Sequence, residues 1–328
     1  MANIHQNKGN ILVAGGAGYV GSHTCLALAE AGYTPVVFDN LSNGHKEFVQ
    51  WGPCIVGDIR DELAVKQVFQ DWKPVGVVHF AALIEVGISV KDPVSFYETN
   101  VKGAINLISE AYRSGVKGFV FSSTCATYGA PEYVPMDEKH PQFPLSPYGN
   151  TKLCVEKYLT DMRECCEFPS IALRYFNAAG ADPEGRIGER HDPETHAIPI
   201  AIEAAMGLRP GFSLFGTDYD TRDGTCVRDY IHVLDLADAH VCALGRLLGG
   251  ELGGAYNLGT GTGTTVKELV EMIRKISGEA FPVAESERRD GDSSVLVADR
   301  SKAKKELGWV PKRGLEQIVQ DAWNWHNK

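Results

Sequence analysis

The sequence predicts an α/β fold, in which a doubly wound parallel sheet is accompanied by a smaller, irregular α/β domain. Three observations indicate this class. The 328 residues suit one large or two modest domains, and 44% of them are apolar. Short apolar runs recur along the first half of the chain, as expected for strands buried on both faces. Between these runs, apolar residues recur at the spacing of a helix. An alternation of strands and helices along the chain is typical of parallel sheets.

Six apolar runs give the strands of this sheet in order along the chain. They lie at residues 11–14, 35–38, 54–56, 75–80, 118–121 and 171–176. A Gly-rich turn follows the first run and leads into a helix that ends at about Ala31. Another helix is predicted where apolar residues recur every three or four positions, at Val94, Tyr97, Val101, Ala104, Ile108 and Ala111. Each run ends in small or polar residues, where the ligands of such sheets bind.

The pattern changes after the sixth run. We therefore expect one domain over residues 1–176 and a smaller domain over residues 177–328, with segments that cross back between them. Gly, Pro and Asp cluster over residues 180–196. Three further helices are predicted, from Pro199, from Thr264 or Thr265, and over residues 314–326. In the second of these, Glu268 supplies the acid of a capping box and Gly278 follows the end.

Charge and cysteine content exclude several classes of function. Acidic residues outnumber basic ones by 42 to 32, giving a net charge of −10, whereas nucleic-acid and anionic-membrane surfaces need a basic field. The first ten residues are polar, and no apolar stretch reaches the ~18 residues of a membrane-spanning helix. The eight cysteines form no Cys-x-x-Cys pair and no zinc spacing. We therefore expect reduced thiols, no metal site and a cytoplasmic protein.

A glycine-rich turn, GGAGYVG, follows the first strand and opens the first helix. Gly15, Gly18 and Gly21 permit a tight turn and a close approach of a pyrophosphate to the backbone. The helix N-terminus offers N–H groups to the phosphates. Asp39 ends the second strand, where a carboxylate binds the adenosine ribose and repels a 2′-phosphate. The sequence therefore predicts a Rossmann-like domain that binds NAD rather than NADP.

A tyrosine and a lysine stand four residues apart at the start of a helix opened by Ser146 and Pro147. Tyr148 and Lys152 share one face with an apolar stripe of Val155, Leu159 and Met162. The ammonium is expected to lower the pKa of the phenol from about 10 towards neutrality, which makes the tyrosine a general base. The alternative is an ordinary helix with a lysine that reaches the solvent.

Hydroxyl side chains follow the fifth strand, in residues 122–129. A hydroxyl at this strand end would face the cofactor crevice. The alternative is that these hydroxyls cap a loop.

Taken together, these segments resemble a known family. The chain is similar to the extended short-chain dehydrogenase/reductases in the glycine turn, Asp58-Ile59, residues 79–82, residues 122–124, the Tyr148/Lys152 pair and residues 174–177. The segments GTCVRDYIHV at 224–233 and YNLG at 256–259 narrow the resemblance to the UDP-glucose 4-epimerases. The resemblance covers nearly the whole chain, from about residue 11 to residue 325.

The resemblance implies a reaction and an assembly. In that family NAD stays bound, a tyrosine takes the proton of the sugar 4-hydroxyl while hydride leaves C4, and the 4-keto sugar turns before hydride returns. Tyr148 would be this base, Lys152 would hold the nicotinamide ribose, and Thr124 would bind the 4-oxygen. Members are commonly homodimers that pack through two helices per subunit, and their partner is a UDP-sugar.

The resemblance also implies a set of cofactor contacts. They are Gly15, Gly18, Tyr19, Val20, Gly21, Asp39, Asn40, Leu41, Ser42, Asn43, Asp58, Ile59, Phe80, Ala81, Ala82, Thr99, Ser122, Tyr148, Lys152, Tyr175 and Phe176. Two positions depart from some epimerases, which have a lysine where this chain has Ile84 and an asparagine where it has Thr99.

The implied substrate contacts lie mostly in the second half of the chain. They are Thr124, Tyr148, Asn177, His196, Ala197, Ser213, Phe215, Arg228, Val266, Arg289, Asp292 and Leu296. A dianionic diphosphate suits guanidinium groups, which bind it through paired N–H donors. Phe215 would pack near the uracil, and Leu296 lies where side-chain size influences acceptance of an N-acetyl group. The alternative for Arg288-Arg289 is an exposed charged pair.

Several other activities remain open on this fold. A 4,6-dehydratase is disfavoured, because it would carry Asp-Glu directly after Thr124, and Cys125-Ala126 stand there instead. Epimerases of UDP-pentoses or UDP-N-acetylhexosamines share these motifs, and one small sugar group changes binding by only about 1–3 kcal/mol. A non-catalytic protein that senses a dinucleotide would be expected to lose the tyrosine or the lysine.

Overall fold

A computed structural model describes residues 7–289 and 292–328, which form fourteen strands and ten α-helices. The strands are β1 Asn10–Ala14, β2 Thr34–Asp39, β3 Cys54–Val56, β4 Gly76–His79, β5 Phe119–Thr124, β6 Ser170–Tyr175, β7 Asn177–Ala179, β8 Phe212–Phe215, β9 Val227–Arg228, β10 Tyr230–His232, β11 Gly253–Leu258, β12 Thr264–Thr265, β13 Val283–Ser286 and β14 Val295–Leu296. The helices are α1 Tyr19–Glu30, α2 Glu62–Trp72, α3 Val86–Lys91, α4 Pro93–Phe96, α5 Ala104–Arg113, α6 Pro147–Cys166, α7 Ala197–Ala205, α8 Val233–Leu248, α9 Val266–Ser277 and α10 Leu315–His326. None of these helices is both long and apolar enough to cross a membrane.

The central sheet has seven strands, all parallel, in the order β11-β6-β5-β4-β1-β2-β3. The doubly wound class and all six predicted strands are confirmed, although β5 extends three residues further than its apolar run. The chain winds outward from β1 in one direction and then from β4 in the other. The gap between β1 and β4 is therefore the switch point, where such sheets bind their ligands.

Each face of the sheet is covered by its own apolar core. One core joins the sheet to α1 and α8, and the other joins it to α2, α5 and α6. Both α8 and β11 follow residue 176, so the second half of the chain returns to complete the sheet. The inner strands β1, β2, β4, β5 and β6 are buried on both faces, which explains why their sequences are continuously apolar rather than alternating, whereas the edge strand β3 is partly exposed.

A smaller core holds the rest of the second half together. It joins α7, α9 and α10 with β8. The predicted capping box is confirmed, since Thr265 and Glu268 exchange hydrogen bonds at the start of α9, and Gly278 ends this helix with a φ of +74°. Helix α7 begins at Ala197, two residues before the predicted start.

The amphipathic helix predicted over residues 94–111 is interrupted. A π-helical segment, Tyr97–Gly103, separates α4 from α5. Its wider turn rotates the following residues relative to the preceding ones, so that a spacing of 3.6 residues no longer describes one face. Ala104, Ile108 and Ala111 are buried as predicted, whereas Val94 is 67% exposed and Tyr97 is 42% exposed.

Candidate active site

A cavity of about 790 Å³ opens beyond the carboxyl ends of the central strands. It lies between the sheet and the smaller core. Its wall includes every residue that the sequence analysis assigned to a cofactor or a substrate except Leu41 and Leu296. The volume is ample for a drug-sized ligand. One continuous space therefore joins the glycine turn, the tyrosine–lysine pair and the arginines of the second half.

Two of the predicted contact residues lie outside the cavity wall. Leu41 has a φ of +60°, and its N–H donates to Asp39 Oδ1 at 2.9 Å while its side chain packs on the core beside α1. Leu296 pairs with Arg228 in the small sheet and packs on the cluster that contains Phe176. Backbone geometry turns each of these side chains away, which the sequence pattern does not show.

The glycine turn has the form that a pyrophosphate requires. Gly15 has a φ of +81°, and a Cβ there would lie 2.4 Å from the Ala81 nitrogen. A Cβ on Gly21 would lie 2.2 Å from the Gly15 oxygen. No side chain caps α1 at Gly18, and its first turn carries no acid. The helix N-terminus thus faces the cavity with N–H groups and positive potential, which fits a dinucleotide.

Asp39 is fixed at the end of β2. Its Oδ2 accepts a hydrogen bond from the Ala17 N–H at 3.0 Å, and its Oδ1 accepts one from Leu41. Burial raises the pKa of this carboxyl group, and the two backbone donors oppose that effect. Beyond it, Asn40 donates to Asp58, and Arg60 pairs with Asp58 at 2.7 Å. Arg60 also lines the cavity and was missed, because nothing in its spacing distinguishes it from a surface arginine.

Replacing Asp39 by alanine should weaken NAD binding and reduce its preference over NADP. This follows from the prediction that the carboxylate accepts ribose hydroxyls and repels a 2′-phosphate. Loss of charge-assisted hydrogen bonds worth about 1.5–3 kcal/mol predicts a change of roughly tenfold or more. Calorimetric titration with both dinucleotides measures it, with Asp71→Asn as an exposed control. An unchanged preference for NAD over NADP would show that residues other than Asp39 recognise the adenosine ribose.

The start of α6 presents Tyr148 and Lys152 to the cavity. Ser146 caps this helix by accepting a hydrogen bond from the Gly149 N–H at 3.2 Å, as predicted. Lys152 is 3% exposed, and its Nζ donates to the Ser122 carbonyl oxygen at 2.8 Å. This bond ties α6 to the end of β5. Thr124 closes that strand, and its hydroxyl accepts from the backbone at 3.2 Å.

The pKa values of the pair differ from the sequence prediction. Burial raises the pKa of Tyr148 well above its usual value, Tyr175 adds to this effect, and the Thr124 hydroxyl opposes it. Burial also lowers the pKa of Lys152 to about 7. The Lys152 Nζ lies 6.0 Å from the centre of the Tyr148 ring. Burial is the largest influence on the phenol, so its pKa lies above the usual value in this structure rather than near neutrality. That Lys152 lowers the pKa of Tyr148 during the reaction stays a prediction.

A buried ion pair beside these groups was missed. Glu156 lies one turn beyond Lys152, and its carboxylate accepts hydrogen bonds from Arg174 Nε at 2.9 Å and from the Ser123 hydroxyl. Arg174 also donates to the Tyr128 hydroxyl at 2.9 Å. The Glu156 and Arg174 side chains are only 6% and 7% exposed. No spacing in the sequence relates Glu156 on α6 to Arg174 on β6, so this pair, which joins α6 to β5 and β6, could be found only from the fold.

The far end of the cavity carries arginines and an aromatic ring. The Arg289 guanidinium lies 3.7 Å from the centre of the Phe215 ring. Arg228 donates to the Ser293 carbonyl oxygen at 2.8 Å and approaches Asp292 at 3.3 Å. Arg288, by contrast, is exposed and pairs with Asp218 outside the cavity wall. Of the two consecutive arginines, only Arg289 faces the site.

The departures from the epimerase pattern, Ile84 and Thr99, both lie in the cavity wall. So do Glu85 and Cys125, which the sequence analysis did not assign to any ligand. Burial raises the pKa of the Cys125 thiol to about 12, so it stays protonated at neutral pH. No acid follows Thr124, which removes the carboxylates that a dehydratase would place there.

Comparison with known proteins adds to this geometry. The family described as "NAD dependent epimerase/dehydratase family" matches residues 11–259. A UDP-glucose 4-epimerase of Rhizobium leguminosarum bv. trifolii is 62% identical over 318 residues, 97% of each chain. The crystal structure of UDP-glucose 4-epimerase from Brucella ovis in complex with NAD is 46% identical, with a TM-score of 0.94 and coverage of 96% and 98%. That from Bifidobacterium longum in complex with NAD⁺ and UDP is 35% identical, with a TM-score of 0.92 and coverage of 97% and 98%.

Proposed function

This chain belongs to the NAD dependent epimerase/dehydratase family, and we propose that it interconverts UDP-glucose and UDP-galactose by inverting C4 of the sugar. It is an isomerase that depends on NAD. One observation supports this substrate and the residue roles proposed below. A single cavity joins the glycine turn that fits a dinucleotide, Tyr148 and the arginines that fit a diphosphate. A protein that only bound a nucleotide would need no buried proton acceptor between the two halves of that cavity.

The groups that would hold NAD already have the positions that binding requires. The N-terminus of α1 and the close turn at Gly15 receive the pyrophosphate, and Asp39 receives the adenosine ribose. Lys152, already tied to Ser122, holds the nicotinamide ribose. When bound, NAD supplies the two-electron acceptor and donor for C4, and the positive charge of its oxidised ring favours the Tyr148 phenolate that burial alone disfavours.

Tyr148 and Thr124 act on the sugar 4-oxygen. Tyr148 accepts the proton of the 4-hydroxyl as C4 is oxidised and returns it when C4 is reduced. Thr124, fixed at the end of β5, donates its hydroxyl hydrogen to the same oxygen. Both groups lie in the cavity wall, so a bound sugar would cover them and limit the access of water to the 4-keto sugar between the two half-reactions.

The second half of the chain holds the nucleotide while the sugar turns. Arg228 and Arg289 bind the diphosphate, and Phe215 stacks near the uracil, where its ring already contacts Arg289. Asn177 and Val266 complete this wall. We divide the chain at residue 176 on this basis, although α8 and β11 return to the NAD-binding sheet. The eight cysteines are all free thiols, which favours the cytoplasm as the compartment.

The substrate is tested by incubating the enzyme separately with UDP-galactose, UDP-xylose and UDP-N-acetylglucosamine and resolving the products. We expect UDP-galactose to give UDP-glucose with the highest kcat/KM. If UDP-xylose or UDP-N-acetylglucosamine is converted faster than UDP-galactose, that sugar nucleotide is the preferred substrate and the proposed hexose substrate is wrong. No conversion of any sugar by protein loaded with NAD would favour a sensor of dinucleotides.

We also propose that the enzyme is a homodimer that packs through the region of α4 and α5. Apolar side chains there are exposed in the single chain, at Val94, Tyr97, Ile105 and Tyr112. Apolar surface of this kind usually marks a contact between proteins. The π-helical segment turns Val94 and Tyr97 outward and therefore contributes to this surface.

Replacing Val94 by glutamate should shift the protein from dimer to monomer, because the charge would have to be desolvated in the interface. Light scattering with size-exclusion chromatography measures the mass of the particle. Leu208→Glu is the matched control, since Leu208 is 69% exposed and lies away from this region. A wild-type monomer, or a dimer unaffected by Val94→Glu, would contradict the proposal.

A further inference from the structure

The loop before α7 brings two glutamates and two histidines together. Glu189, His191, Glu194 and His196 occupy an eight-residue segment, and one ligand atom from each lies within 4.8 Å of all the others. Of the four, only His196 is among the substrate contacts that the family resemblance implies, and the proposed function gives none of them a role. None of the four is a cysteine, so the cysteine spacing gives no sign of this segment.

The donor atoms have the spacing of a metal site. His196 Nδ1 lies 2.9 Å from Glu194 Oε1 and 3.0 Å from Glu189 Oε1. His191 Nδ1 lies 3.4 Å from Glu189 Oε1 and 3.5 Å from Glu194 Oε2. In a tetrahedral site with metal–ligand bonds of about 2.0–2.1 Å, neighbouring ligand atoms are about 3.3 Å apart. These histidine–carboxylate separations bracket that value, with His196 beside Oε1 of Glu194 and His191 beside Oε2 of the same carboxylate; with one ligand atom taken from each residue, all pairs lie within 4.8 Å.

Hydrogen bonding alone leaves the cluster incomplete. The side chains of Glu189 and Glu194 are each only 5% exposed, and two buried carboxylates side by side need a positive counter-charge, which protonated His191 and His196 or a bound cation can supply. His191 Nδ1 is buried and has no hydrogen-bond partner, although it points towards both carboxylates. A cation between the four groups would satisfy this nitrogen and both acids at once.

We propose that Glu189, His191, Glu194 and His196 bind one divalent transition-metal ion of the Zn²⁺ type. Two imidazoles exclude Mg²⁺ and Ca²⁺, which take oxygen ligands, whereas zinc and cobalt accept nitrogen and carboxylate together. Four protein ligands fill a tetrahedral shell, so the ion is structural rather than catalytic. It neutralises the two carboxylates beside the cavity wall that the substrate diphosphate must approach.

The surroundings of the four residues suit this role. Glu194 Oε1 also accepts the backbone N–H groups of Thr195 and His196, each at 2.8 Å, which orients the carboxylate. The Glu189 carbonyl oxygen accepts the Trp325 indole N–H at 2.8 Å, so this loop is anchored on α10. The His191 ring packs edge-on against Tyr19, at the start of α1. The ion would therefore fix the loop between the two halves of the molecule.

The test uses the full-length enzyme. Elemental analysis of protein purified from zinc-supplemented cells should give about one zinc per chain. After chelator treatment, Co²⁺ alone should bind with one equivalent and show the strong visible absorption of a four-coordinate site. His191→Gln and Glu194→Gln should each weaken Zn²⁺ binding by at least about a hundredfold, since even residues outside the ligand shell change affinity by about 10–100-fold.

Glu184→Gln is the matched control, because Glu184 is 70% exposed and lies on the same loop. It should bind Co²⁺ as the wild type does. Circular dichroism establishes that each variant is folded, and the wild-type stoichiometry does not depend on any variant. Less than about a tenth of an equivalent of metal, or Co²⁺ binding that survives both substitutions, would overturn the proposal and leave protonated histidines as the counter-charge. The outcome is independent of the epimerase activity.

Discussion

Tyr148→Phe should leave a folded protein that binds NAD and UDP but turns over about 10²–10⁴-fold more slowly than the wild type. The substitution removes only the hydroxyl that accepts the proton of the sugar 4-hydroxyl. Since the ring remains, packing at the start of α6 is preserved. Steady-state conversion of UDP-galactose gives kcat, and calorimetry gives the affinity for UDP.

Tyr158→Phe is the matched control for this experiment. Tyr158 lies on the same helix, and its hydroxyl contacts Ser109 at 3.2 Å on the side away from the cavity. We expect its kcat to remain within a few-fold of the wild-type value. Near-normal turnover of Tyr148→Phe would remove this tyrosine from the mechanism. A loss in kcat with unchanged UDP affinity separates a lost proton acceptor from a distorted site.

Glu156→Ala should lower the free energy of unfolding by about 3–5 kcal/mol, the largest effect on stability that we expect. It leaves the Arg174 guanidinium buried without its carboxylate, and Ser123 loses its acceptor as well. Urea denaturation measures the change. The exposed Glu164→Ala on the same helix should change stability by no more than about 0.5 kcal/mol.

A double substitution tests whether the cost comes from the stranded charge. Glu156→Leu and Arg174→Met should each destabilise alone, whereas the two combined should cost less than the sum of these single changes. An additive result would show that the two side chains act independently. Retained activity in the double variant would further show that the ion pair supports the catalytic helix without taking part in the reaction.

Much of the fold could be predicted because its strands are buried on both faces. Continuous apolar runs identified all six strands of the first half, and the capping box of Thr265 and Glu268 identified α9. The resemblance to the epimerases is confirmed by the relatives and the solved structures. The turn at Gly15 could be predicted because its steric requirement admits only glycine.

The parts that could not be predicted depend on contacts between distant segments. The π-helical segment before α5 alters which side chains are buried, and no residue type in the sequence predicts such a segment. The pKa values of Tyr148 and Lys152 depend on how deeply the fold buries them, whereas the sequence shows only their spacing. Leu41 and Leu296 match the family pattern by position, but local backbone geometry and packing direct them away from the cavity.

The fate of the hydrogen on C4 tests the central claim most directly. UDP-galactose that carries deuterium at C4 is converted in ordinary water, and the UDP-glucose product is examined by mass spectrometry and NMR. If C4 is oxidised and reduced within one closed cavity, the deuterium stays at C4 of the product. Hydrogen from the solvent at C4, in place of the deuterium, would contradict the account.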